Sequence, residues 1–176
     1  MTDKPHMLLW VDVETTGLDP ATDRVLEVGL KLTGMRGESR SVDLHEFCQC
    51  DSVPLDDPFI VDTFTANGLF RDVRDHGRRP SDVAAVIDGF LDDLAERYIL
   101  HPAGTNVQFD LKFLGAMGVK LDRLSHRRLD VTAFRLASMA AGRDPYDESH
   151  ATSHRVFDCL GRDIRDYGNY LKLWER

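Results

Sequence analysis

The sequence predicts an α/β fold in which a mixed sheet, three antiparallel strands followed by parallel ones, is flanked by helices. Three observations point there. Apolar runs at 7–13, 25–32 and 42–48 are joined by short connections marked by Gly17, Pro20, Gly34 and Gly37, the spacing of an antiparallel meander. From residue 80 onward, helical and strand-like stretches alternate, the order in which later strands join a sheet in parallel. The length, 176 residues, suits one such layered unit, so 1–176 is read as a single domain.

Each element has its own signal. The run Met7-Leu8-Leu9-Trp10-Val11 is a buried strand leading to an acidic end. Thr15-Thr16-Gly17-Leu18-Asp19-Pro20 is a turn. Two further strands cover 25–32 and 42–48. The stretch after them carries Pro54 and Pro58 and reads as loop. Pro80 and Ser81 open a helix in which Val83, Val86, Ile87, Phe90, Leu91 and Leu94 recur at helical spacing. A fourth strand is expected over 98–105, a helix over 109–117 ended by Gly118, a short fifth strand over 129–131 and a helix over 132–141. Residues 142–149 are a polar loop. A last helix is expected over 154–173, with Val156, Leu160, Ile164, Tyr167, Leu171 and Trp174 as its apolar stripe.

Composition limits the function classes. Asp plus Glu number 30 against 22 Lys plus Arg, a net charge of −8. Such a chain is a poor gripper of long duplexes, which needs a basic surface; a short nucleic acid remains within reach if metal ions supply positive charge. No apolar run approaches a membrane span, and the first residues lack the apolar core of a signal peptide. No membrane partner is expected and the cytoplasm is the default compartment. Cys48, Cys50 and Cys159 are too few and too unevenly placed for a disulfide framework. Cys48 and Cys50 read as small residues at a strand end.

Acidic residues at the ends of predicted elements carry the chemistry. Asp12 and Glu14 stand two apart on a strand and so share a face. Asp110 follows Asn106 after the fourth strand. Asp158 stands four residues after His154, which on a helix puts both on one side. Taken singly, these are a solvated strand edge, a helix cap and a surface pair. Four carboxylates gathered from separate segments need cations, and hard oxygen ligands suit Mg²⁺ or Mn²⁺.

The flanks carry a family likeness. Val11-Asp12-Val13-Glu14-Thr15-Thr16-Gly17-Leu18 resembles the first motif of the DEDDh 3′→5′ exonucleases. Asn106-Val107-Gln108-Phe109-Asp110-Leu111-Lys112-Phe113-Leu114 resembles the second, and Ser153-His154-Arg155-Val156-Phe157-Asp158 the third. Within that superfamily the chain is most similar to oligoribonuclease. Asp19-Pro20 with Asp23-Arg24-Val25-Leu26-Glu27-Val28, Thr65-Ala66-Asn67-Gly68-Leu69, and Arg127-Arg128-Leu129-Asp130-Val131-Thr132 follow that family's intervening segments. The resemblance implies a ribonuclease H-like sheet.

The third motif departs from the pattern. The family places its last metal-binding Asp five residues after the His, where this chain has Cys159; Asp158 comes one residue earlier. Three explanations are open. A local shift of the helix lets Asp158 serve, or Cys159 occupies the family's Asp position and weakens a hard-metal site, or the site is degenerate. Asp158 and His154 lie nearly opposite the apolar stripe and Cys159 at its margin, which does not decide. Asp158 is favoured as the fourth ligand because the other motifs are intact.

The resemblance then implies two-metal phosphodiester hydrolysis. Asp12, Glu14, Asp110 and Asp158 hold two ions, Mg²⁺ or Mn²⁺, and His154 takes the proton of the attacking water. The products are 5′-mononucleotides. Leu18 wedges against a terminal base, Thr15 and Asn106 contact substrate, and Arg127 and Thr132 hold the 5′ phosphate of very short RNA. Phe59 and Phe64 either stack on bases or, as favoured, pack in the core. A homodimer is implied, for which the sequence offers only the aromatic end Tyr167, Tyr170 and Trp174. Two rival readings stand beside this one. One is a DEDDh exonuclease acting on single-stranded DNA, in proofreading, repair or a phage. The other is a decayed, non-catalytic nucleic-acid-binding relative, supported by Cys159.

Overall fold

The structure is a computed structural model and describes residues 4–51, 57–146 and 152–174, the side chain of residue 174 excepted. β1 (His6–Thr15) pairs antiparallel with β2 (Val25–Thr33), and β2 antiparallel with β3 (Ser39–Phe47). β4 (Ile99–Gly104) runs parallel to β1 on its other side, and β5 (Leu129–Asp130) runs parallel to β4. The resulting order is β3-β2-β1-β4-β5, the mixed sheet that the sequence predicts. Helices α1 (Pro58–Ala66), α2 (Leu69–His76), α3 (Pro80–Arg97), α4 (Val107–Ala116), α5 (Val131–Ala140) and α6 (Val156–Trp174) flank it.

Two expectations are corrected. The stretch after β3 is not all loop, because α1 and α2 lie there. Pro58 opens α1, where its missing N–H costs nothing, and the Asp57 carboxylate accepts from the Phe59 N–H at 2.9 Å as an N-cap. The last helix begins at Val156 and not at residue 154. His154 has φ = 53°, a left-handed conformation that an ordinary residue adopts only at a break in the helix.

Strand alternation on β1 assigns the two faces of the sheet. Met7, Leu9, Val11 and Val13 pack with α3 and α4 residues such as Ile87, Leu91, Leu111 and Phe113. Leu8 and Trp10 pack on the opposite face with Val131 of α5 and Leu160 and Tyr167 of α6. Asp12 and Glu14 continue that second series, so they emerge toward α6. Tyr167 and Tyr170 cover this face, as their apolar character allows.

Glycine 29 sets how closely α6 approaches. It pairs with Asp12 across β1 and β2. A Cβ there would come within 2.7 Å of the Val156 side chain. The bare backbone at Gly29 therefore lets the first turn of α6 lie directly on the sheet beside Asp12.

Candidate active site

Asp12 and Glu14 end the apolar part of β1, and the first turn of α6 brings a third group to them. That group is Cys159. One ligand atom from each of Asp12, Glu14 and Cys159 lies within 4.8 Å of the other two. The Cys159 thiol is buried and lies 3.4 Å from the Thr152 hydroxyl. Asp110 stands behind them at the start of α4. It is 3% exposed and accepts the Val13 N–H at 3.0 Å, which ties α4 to β1 between the two β1 carboxylates.

The structure does not bring Asp158, the expected fourth ligand, into this set. Asp158 is exposed and its carboxylate accepts the Ser153 hydroxyl. Successive helix residues are turned by about 100°. Cys159 faces the sheet with Val156 and Leu160, so Asp158 faces away from it. The helix is not shifted to bring Asp158 in. The His154–Asp158 pair is not a helix pair either, since His154 precedes α6.

The electrostatics of the cluster are those of a site short of positive charge. Burial, then Asp163 and Glu27, push the Asp12 carboxyl up to about 7, although Arg162 pulls the other way. Burial and the Asp12, Glu27 and Asp110 carboxylates raise Glu14 to about 9. Asp110 is raised well above the ordinary range by burial and by Asp12. The Cys159 thiol is pushed up to about 12, first by burial and then by Asp12. Asp12 as a residue is half-buried, but its Oδ2 atom is out of reach of solvent and has no hydrogen-bond partner among the described residues. A buried carboxylate oxygen without a donor is costly. A divalent cation is the group that would satisfy it and lower all three carboxyls together.

The other sequence-predicted residues divide. Leu18 stands on the turn after β1 with 84% of its surface exposed, a shape open to contact with a ligand. Thr15 is buried and its hydroxyl donates to the Gly17 carbonyl at 2.6 Å, so it shapes the turn. Asn106 adopts φ = 53° as the residue before α4. Its N–H reaches the Asp130 carboxylate at 3.0 Å and the Thr132 hydroxyl at 3.2 Å. Thr132 therefore braces the start of α4. Arg127 is exposed, and its carbonyl lies 3.1 Å from Nδ1 of His101. His101 pairs with Leu8, four residues before Asp12, so Arg127 sits about 13 Å back along the strand direction. Phe64 is in the core, while Phe59 is 60% exposed and meets the His154 ring edge-on at 5.5 Å.

A network that the motifs did not foretell holds the loop of His154. The Asn67 amide donates to the Ser153 and His154 carbonyls at 2.8 and 2.9 Å. Arg155 bonds Glu27 at 2.9–3.1 Å and Asp72 at 3.0 Å. It also donates to the Asn67 carbonyl at 3.2 Å. Glu27 is 1% exposed; its burial is outweighed by His45 and Arg155, which hold its carboxyl below the usual value. The signal available in the sequence was the segment around Asn67 and the acidic Glu27 inside an apolar strand.

No protein-family model matches the chain. The oligoribonuclease of Neisseria meningitidis serogroup A is 30% identical over 97% of this chain and 92% of that protein. The oligoribonucleases of Baumannia cicadellinicola and Vibrio campbellii are 28% and 29% identical, over 94% and 77% of this chain and 92% and 76% of theirs. Among solved structures, a product-bound exonuclease I superposes with a TM-score of 0.65 at 16% identity, over 97% of this chain and 44% of that one. A zinc-bound complex of Escherichia coli exonuclease I with single-stranded DNA gives 0.66 at 18%, over 98% and 41%. The chain thus spans less than half of those structures, and at these identities the likeness is one of fold.

Proposed function

The chain belongs to the oligoribonuclease family of 3′→5′ exonucleases, and on that premise we propose that it releases 5′-mononucleotides from the 3′ end of short single-stranded RNA. The observation that carries the reading to this site is the unpartnered, solvent-inaccessible Asp12 oxygen amid carboxyls short of positive charge. Asp12 and Glu14 would hold divalent cations, with Asp110 beside them. Carboxylate oxygen suits Mg²⁺ or Mn²⁺. When bound, such ions acidify an attacking water and stabilise the leaving 3′ oxygen.

The chain's own residues do the rest. Asp12 and Glu14 are preorganised by strand pairing and need not move to receive charge. His154 takes the proton from the attacking water on an imidazole nitrogen. Its exposed loop position lets it meet a substrate, and Asn67 and Arg155 fix that loop. Leu18 wedges against the terminal base, and Phe59 walls the other side of His154. Thr15, Asn106 and Thr132 support the turns that carry these groups.

The same reading takes 1–176 as one exonuclease domain acting in the cytoplasm as a homodimer. No helix among the described residues is long and apolar enough to cross a membrane. Tyr167 and Tyr170 are used within the subunit, so light scattering must supply the test of dimerisation: a mass near 19.9 kDa at micromolar concentration refutes it.

Labelled RNAs of graded length, with a DNA dinucleotide alongside, test the function in Mg²⁺, Mn²⁺ and EDTA. The expected result is stepwise release of 5′-mononucleotides, fastest on the shortest RNA and absent in EDTA. Full activity in EDTA removes the metal reading. Preference for DNA favours the single-stranded DNA alternative, and inactivity in Mg²⁺, in Mn²⁺ and also in Co²⁺ favours the decayed relative.

A further inference from the structure

The group that α6 brings to Asp12 and Glu14 is a thiol, a softer donor than the carboxylates beside it. Cys159 is buried, and its sulfur and one oxygen from each carboxylate lie within 4.8 Å of one another. Its near polar neighbour is the Thr152 hydroxyl at 3.4 Å. The second observation is independent of the sulfur: Asp12, one of the two carboxylates of the cluster, has its Oδ2 inaccessible to solvent and without a hydrogen-bond donor among the described residues. The fold enforces this meeting, because Gly29 admits Val156 against the sheet and fixes the rotation of α6.

We propose that Cys159 is a ligand of the cation held by Asp12 and Glu14, and that this mixed sulfur and oxygen set favours thiophilic divalent ions of the Zn²⁺, Co²⁺ and Cd²⁺ class over Mg²⁺. The proposal rests on the metal-dependent reading above and names the ion class of that same site. Thiolate is a soft ligand that Mg²⁺ avoids, whereas Zn²⁺ and its congeners bind sulfur together with oxygen. On binding, the S–H bond breaks, a sulfur–metal bond forms and the proton passes to solvent. The position is then not a vacancy in the ligand set but a change of its hardness.

The test reads the metal directly. Metal-free protein is titrated with Co²⁺ while the near-ultraviolet sulfur-to-cobalt charge-transfer band is followed. Calorimetry measures Mg²⁺ and Cd²⁺ binding in parallel. The wild type and Cys50→Ser should show the band, and Cys159→Ser should lose it. Cys159→Asp should gain Mg²⁺ affinity and lose Cd²⁺ affinity by roughly tenfold or more, since even changes in supporting residues cost roughly 10–100-fold. Calorimetric binding without the band, or a band that survives Cys159→Ser, overturns the proposal and leaves the carboxylate metal site standing. No binding of any ion overturns both. Should the Cys159 variants not fold, X-ray absorption on the Cd²⁺-loaded wild type decides alone: a sulfur neighbour supports the proposal and oxygen neighbours only refute it.

Discussion

Replacing Asp12 by Asn should make the metal-free protein more stable at pH 8 than the wild type, and the gain should vanish at pH 5. An unfolded Asp titrates near 3.8, while burial and the neighbouring Asp163 and Glu27 raise the folded Asp12 to about 7. Below about pH 4 the group is protonated in both states and contributes nothing. Between about 4 and 7 the unfolded chain has released its proton and the native one has not, so stability falls as pH rises. Above about 7 the whole penalty is present. A rise from 3.8 to about 7 corresponds to about 4 kcal/mol. The Asn amide leaves a buried N–H without an acceptor, a cost of about 1–3 kcal/mol, but that cost is the same at both pH values. The difference between the two mutational effects therefore isolates the charge. About 1.6 kcal/mol of the penalty is already present at pH 5, so the two effects differ by about 2.7 kcal/mol, or about 5–11 °C in unfolding midpoint at about 2–4 °C per kcal/mol for a domain of this size. Thermal or urea unfolding in EDTA at pH 5, 6.5 and 8 measures it, and a divalent cation should stabilise the wild type far more at pH 8. A mutational effect independent of pH would refute the argument that Asp12 is a buried charge awaiting a counter-ion.

The remaining expectations concern residues around that cluster. Asp110→Asn and Asp110→Ala should both abolish turnover. Only the Ala variant also loses the acceptor for the Val13 N–H, so it should unfold earlier by about 1–3 kcal/mol; equal stability of the two excludes that bond as the cause. His154→Ala should lower kcat by about 10²–10⁴-fold. Asn67→Ala, which frees the Ser153 and His154 carbonyls, should cost up to about 10²-fold in kcat with metal affinity unchanged; altered metal affinity in either variant refutes these roles. Leu18→Ala should raise KM for dinucleotides while leaving stability within about 0.5 kcal/mol, and an unaltered KM removes the wedge. Arg135 bonds buried Asp163 at 2.8 Å and Asp166 at 2.7 Å. Arg135→Met leaves Asp163, among the described residues, with Arg162 as its remaining ion-pair partner and should cost about 3 kcal/mol, read as a lower unfolding midpoint; no change there shows the network is neutral.

Much of the sheet was legible because its strands are apolar and bounded by turns. β1, β2 and β4 are buried nearly throughout, so composition alone marks them. α1 and α2 were not legible, because a proline is read more readily as a breaker than as a first helical residue, and only the Asp57 cap distinguishes the two. The motifs picked out carboxylates of β1 and α4 that the structure places near one another. They could not supply the Asn67 and Arg155 ties, which join residues more than eighty positions apart and leave no local pattern.

The place of Asp158 outside the cluster follows from the helical spacing of α6. The apolar stripe of α6 marks the side that faces the sheet, and the sheet carries Asp12. Any residue of α6 that meets Asp12 must lie at the edge of that stripe, where the sequence puts Cys159. A residue opposite the stripe, where it puts Asp158, must face solvent. The direction was therefore available from helical spacing, and the intactness of the other motifs outweighed it. Burial confirms the geometric order along the helix: Val156, Cys159, Leu160, Asp163 and Tyr167 are buried, a single face at spacings of three and four. That face also carries Asp163, whose charge is felt by both Asp12 and Asp110. It is held by Arg135 and Arg162, so the helix delivers a thiol and an ion-paired carboxylate to the sheet. Two β1 carboxylates, a buried Asp110 and this packed helix face fix the directions from which side chains reach the cluster, and the chemistry at the α6 position is that of a thiol. Direction is set by the backbone and is expensive to alter; the atom at its end is changed by one substitution.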